Sequence, residues 1–252
     1  MSAPPSAPAS NAHTVGDLWR HCLEDDGELG PRAAEVLELV ARAPDPPLDC
    51  ALTDLQRTFA SRIQGHGDSP LTTAGEAQAA AIAQRLAGEQ FDRLVSSDLG
   101  RAWRTAQAIA ARAGREVLAD PRLRERNYGV LEGLTYGEID ARYPGVFSRV
   151  RDSDPDFTVP GGESRRQLFE RVRDAFESLA AAHAGRRLVV VCHGGVLAAL
   201  YRHAHGIDVG AAHSIPIPNA AFNALVHERG RWMVEAWGDT AHLAGAEPIV
   251  EP

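Results

Sequence analysis

The sequence predicts an α/β protein: a three-layer α/β/α sandwich with a mostly parallel central sheet. Three observations carry this. Short apolar, β-branched runs alternate with amphipathic stretches of helical period along most of the chain. The runs end in polar or glycine turns that lead directly into helices, as "VSSDLGR" and "VVVCHGG" do. No repeat or long apolar segment interrupts the alternation, and 252 residues are enough to bury such a core.

Taken in order, residues 1–13 form a Pro/Ala/Ser tail with no periodic pattern, expected to be disordered. Residues 14–47 form a helical extension, in which Pro31 opens a helix with Ala34, Leu37, Val40 and Ala41 on one face. "PDPP" ends it, and the main domain is placed at 48–248. Thr73 and Glu76 form a capping box before the helix "AQAAAIAQRLAG". "FDRLVSS" is a buried strand, "LGRAWRTAQAIAARAG" a helix closed by glycine, and "EVLAD" a second short strand. Residues 121–162 carry Gly, Pro, Asp and Tyr with little periodicity, so a long excursion with one helix is expected. "SRRQLFERVRDAFESLAAAHAG" is a long amphipathic helix. It leads to a fully buried strand, "RRLVVVCHGG", then to the helix "VLAALYRHAHG" and two late strands, "AFNALVHE" and "RWMVEAW".

Composition excludes several function classes. Apolar residues make up 44% and charged residues 24%, with a net charge of −8 and a pI near 5.7. That balance argues against nucleic acid or an anionic membrane as the main partner. All 26 basic residues are arginine, so neither Schiff-base chemistry nor a P-loop lysine is available. Three scattered cysteines fit reduced thiols and a cytoplasmic location. Cys192 reads as a small buried hydrophobe. His203 and His205, at i and i+2 on a helix, face apart and make no metal site. No cofactor or metal is expected, and a homodimer stays open.

The strand ends are where a parallel sheet of this kind binds ligands. Arginine and histidine beside glycine turns there suit an anion: backbone N–H groups approach it, a helix N-terminus adds partial positive charge, and guanidinium supplies paired donors.

Seven stretches, in order, resemble the histidine phosphatase superfamily: "RIQGHGDSPLTTAGEAQA", "VSSDLGRAWRTA", "LRERNYGVLEGLTYGEI", "PGGES", "VVVCHGG", "IPNAAFN" and "WGDTAHL". They span residues 60–243, and the wording is closest to the small broad-specificity and α-ribazole phosphatase branch. The resemblance implies a phosphoglycerate mutase-like fold and covalent catalysis by a histidine in an R-H-G motif, with two arginines and a second histidine on the phosphate and a carboxylic acid for the leaving alcohol. Carried over, Arg62 and Arg101 match the phosphate arginines, Glu125 the general acid and His193 the second histidine. His66 and Gly194 border the phosphate pocket, and Gly162, Glu163 and Ser164 match the loop that shapes the leaving-group side. The ligand implied is a small phosphorylated or otherwise anionic metabolite.

The R-H-G tripeptide itself is absent from the sequence. One register sets Ala51-Leu52 where arginine and histidine belong; another, through "LTDLQRT", sets Asp54-Leu55 there. Leucine has no lone pair and cannot attack phosphorus. Three alternatives stay open. A displaced histidine, His21 in "LWRHCLEDDGE", takes the nucleophile's place in an active phosphomonoesterase. Glu125 and His193 support retooled acid/base chemistry. Or the chain binds a phosphoester or a protein partner without turnover.

Overall fold

The computed structural model describes residues 62–67, 70–151, 154–211 and 215–244. All of these belong to a compact unit that runs from Thr58 to the C-terminus. The expected tail, the helical extension with His21, and the segment holding Ala51, Leu52, Asp54 and Leu55 lie outside the described residues.

Helix α1 spans Thr73–Leu86, strand β1 Arg93–Ser96, helix α2 Gly100–Ala113 and strand β2 Val117–Ala119. Helices α3 (Tyr136–Arg142) and α4 (Val146–Arg151) lie in the excursion, and helix α5 spans Arg165–Ala182. Strand β3 (Leu188–Val191), helix α6 (Gly194–His205) and strands β4 (Phe222–Glu228) and β5 (Arg231–Asp239) complete the unit. β1 pairs in parallel with β2 on one side and β3 on the other, whereas β4 and β5 form a separate antiparallel hairpin. The late strands thus stand apart from the parallel ladder among the described residues.

Strand periodicity sets the layers. Leu94 enters an apolar cluster with Ile82, Ala83 and Leu86 of α1 and Ile109 of α2. Its neighbour Val95 enters a second cluster with Leu168, Val172 and Phe176 of α5 and Val196, Ala199 and Leu200 of α6. Successive side chains of one strand therefore face opposite helix layers.

Three local expectations change. Thr72, one residue before the expected cap, takes extended backbone and accepts the Gly75 N–H, because the adjacent threonine is the first helical residue. β3 is half-buried along its length, not fully buried: among the described residues it pairs on one edge only, with β1. The excursion holds two helices and a small core of its own, made by Leu131, Ile139, Val150 and Val159. Thr135 and Glu138 form a full capping box at the start of α3.

Candidate active site

The carboxyl ends of β1 and β3 lie side by side, with Ser96 in register with Val191. The chain leaves β3 through Cys192, and His193 takes extended backbone as the N-cap of α6. Its Nε2 lies 2.8 Å from Ser97 Oγ in the turn after β1. Both side chains are buried. Burial, and next the positive charge of Arg101, push the His193 imidazole down to about 3, so it stays neutral near pH 7. The Cys192 thiol, packed against the α5/α6 cluster, is pushed up to about 12, mainly by burial and then by the charge of Glu125. A thiol so held is not a nucleophile.

Glu125 approaches from the loop after β2. Its carboxylate accepts the Arg126 N–H at 2.7 Å and the Gly195 N–H at 2.9 Å, so it rests on the first turn of α6. Gly195 is required there: a Cβ at this position would lie 2.1 Å from Glu125 Oε1. Glu125 and His193 therefore share one helix N-terminus. His66 Nε2–H donates to the Glu125 carbonyl at 2.8 Å, and its own N–H donates to Glu132 Oε1 at 2.8 Å. Arg101, in the first turn of α2, donates to the carbonyls of Gly65 at 2.8 Å and Gly67 at 3.1 Å. The loop 62–67 is thus tied to α2 and to the Glu125 segment at once. Asp98 holds a two-point pair with Arg124, at 2.7 and 2.5 Å, which keeps its carboxyl below the usual carboxylate range.

Arg62 enters a different network. Its Nη1 donates to Gly133 O at 2.7 Å and pairs with Glu138 Oε2 at 2.8 Å, both in the excursion. Gly162 packs against the backbone of residues 127–129, where a Cβ would lie 2.7 Å from Asn127 O. Glu163 Oε1 accepts the Asn127 N–H at 3.0 Å, and Ser164 caps α5 in a capping box with Gln167. Gly194 opens α6. So His66, Arg101, Glu125 and His193 come together with Gly194, while Gly162, Glu163 and Ser164 brace the loop that carries Glu125.

Sequence reasoning missed Ser97, Asp98, Arg124 and Arg171 as single residues. Ser97 and Asp98 sit in "SSDLGR", a stretch whose position at a strand end was a usable signal. Arg171 carries none, since one arginine on a polar helix face looks like any other. His203 and His205 do face apart: His203 bonds Glu177 Oε1 at 2.8 Å, and His205 bonds the Tyr201 carbonyl at 3.0 Å. Among the described residues no helix is long and apolar enough to cross a membrane, and no cluster of His, Cys, Asp and Glu is disposed to hold a metal ion.

The model of the histidine phosphatase superfamily (branch 1) matches residues 54–240. A phosphoglycerate mutase-like protein 4 of Arabidopsis thaliana is 40% identical over 186 residues, covering 72% of this chain and 80% of that protein. A metal-independent phosphoserine phosphatase of the same plant is 40% identical over 188 residues, covering 73% of this chain and 77% of its own. Among solved structures, a mycobacterial glucosyl-3-phosphoglycerate phosphatase complexed with VO3 superposes with a TM-score of 0.63 at 35% identity, covering 71% of this chain and 92% of that one.

Proposed function

The chain belongs to the histidine phosphatase superfamily, and we propose that its site binds the phosphoryl group of a small phosphorylated metabolite. The observation that carries this is the Gly195 N–H bond to Glu125, which sets an acid and a buried neutral histidine on one helix N-terminus. Such an end offers backbone N–H donors to an anion, and Arg101 adds a guanidinium to the same corner. In this reading Arg101, His193, His66 and Gly194 hold the phosphoryl oxygens. Arg62 joins them on leaving Glu138. Glu125 gives a proton to the departing oxygen, and Gly162, Glu163 and Ser164 fix the loop behind it.

The sequence has histidine in neither register of the R-H-G position. We infer that phosphohistidine chemistry is lost and that hydrolysis is slow. Relatives that bear the names of phosphoserine and glucosyl-3-phosphoglycerate phosphatases point to metabolites with both a phosphate and a carboxylate as the class to try first. A screen of phosphorylated metabolites by mass spectrometry, with the Glu125→Gln variant alongside, tests this. Any product that disappears with Glu125→Gln supports acid/base use of the site. Binding without product, unchanged by Glu125→Gln, reduces it to a binding protein.

A further inference from the structure

We propose that Arg171 is the positioning residue that holds Glu125 against the first turn of α6. The proposal rests on the acid role given to Glu125 above, and it extends the site to a side chain two turns into α5. All five N–H donors of Arg171 are engaged. Nη1 donates to Arg122 O at 2.6 Å and to Arg124 O at 3.0 Å. Nη2 donates to Glu125 O at 3.3 Å and to Glu163 Oε1 at 2.5 Å, and Nε donates to Glu163 Oε2 at 3.3 Å. Three backbone carbonyls, those of Arg122, Arg124 and Glu125, thus converge on one guanidinium.

The clamp closes on the far side too. Glu163 Oε1 also accepts the Asn127 N–H, and the Glu163 N–H donates to Asn127 O at 2.9 Å. Residues 122–127 are therefore fixed on both sides of Glu125, whose carboxylate is then aimed at Gly195. Only a planar fork with five donors fills these positions together. A lysine ammonium keeps the charge, but its three donors on one nitrogen cannot reach three carbonyls and both carboxylate oxygens. A general acid displaced by an ångström loses its hydrogen-bond reach to the leaving oxygen, while binding of the phosphoryl group elsewhere in the site is untouched.

The test uses the full chain with Arg171→Lys, and Glu163→Gln as a second variant that loosens the same clamp from its other partner. Amide hydrogen exchange is read at Asn127 and Gly195, whose N–H groups bond the Glu163 and Glu125 carboxylates respectively. Exchange there should rise about tenfold or more, against little change in the α1/α2 core. Turnover is compared on p-nitrophenyl phosphate, whose leaving group departs without a proton, and glycerol phosphate, whose alkoxide needs one. In Arg171→Lys kcat for glycerol phosphate should fall about tenfold or more, with KM and the aryl reaction nearly unchanged. Unchanged exchange at Gly195, or equal kcat losses on both substrates, overturns the proposal. A wild-type chain inert on both substrates tells against turnover by this site, and Gly195 exchange then decides the role of Arg171 by itself.

Discussion

His193 Nε2 lies 2.8 Å from Ser97 Oγ, and the two side chains are 7% and 0% exposed. This bond ties the turn after β1 to the end of β3, and it holds an imidazole where a proton is unwelcome. Folded His193 titrates at about 3 against an ordinary 6.5, first because of burial and then because of Arg101. The unfolded chain therefore takes up a proton below pH 6.5 that the native chain refuses. Stability is highest above that pH and falls as pH drops toward about 3, by up to about 1.4 kcal/mol per pH unit from this group. Urea melts from pH 7 to 4 on wild type and His193→Gln should show a shallower acid decline in the variant. Parallel declines would mean that His193 is protonated in the native state.

Gly195→Ala should displace Glu125. The new methyl would meet Glu125 Oε1 at 2.1 Å and Leu168 Cδ2 at 3.3 Å, so the end of the Glu125 side chain must give way. Overpacking of this kind costs about 1–3 kcal/mol. The variant should melt lower and lose any Glu125-dependent product formation. A stable variant with intact product formation would show that the carboxylate works from another position.

Much of this site was legible in the sequence, for a specific reason. His193 and Arg101 lie next to strand-ending turns, and glycine at Gly194, Gly195, Gly114 and Gly206 marks where backbone must approach a partner or end a helix. The α5 helix announced itself by its apolar period. Arg171 did not, because its partners Arg122, Arg124 and Glu125 lie in a distant loop, and contacts of that range leave no periodic mark. The α3 helix was hidden differently. Its capping box was present, but seven residues with a glycine inside give too short a period to recognise. Arg62 had a clear place in a motif stretch, but its pairing with Glu138 and Gly133 O in the excursion is a contact of long sequence range that leaves no mark in the sequence.

Installing an arginine–histidine pair tests whether either candidate register can carry a nucleophile. Two double variants, Ala51→Arg with Leu52→His and Asp54→Arg with Leu55→His, each place arginine and histidine in one of the two candidate registers. One of them should raise hydrolysis of p-nitrophenyl phosphate by an order of magnitude or more, since a placed imidazole supplies about 7 kcal/mol or more of the barrier when well aligned. It should also yield an acid-labile phosphoenzyme, and the proposed loss of phosphohistidine chemistry predicts none from the wild type. Brisk hydrolysis by the wild type that vanishes in His21→Ala would instead assign the nucleophile to the N-terminal extension.

The central claim, that this site is built for a phosphoryl group, is tested most directly by the melting temperature in rising vanadate or inorganic phosphate. Anion bound at 100 times its Kd adds about 2.7 kcal/mol to the native state, which for a chain of this size raises Tm by about 5–10 °C. The wild type should show a saturable rise at millimolar anion, and Arg101→Ala should remove most of that increment whatever its own Tm without anion. No rise in the wild type, or an equal rise in Arg101→Ala, would contradict the assignment of this corner of the fold as a phosphate site.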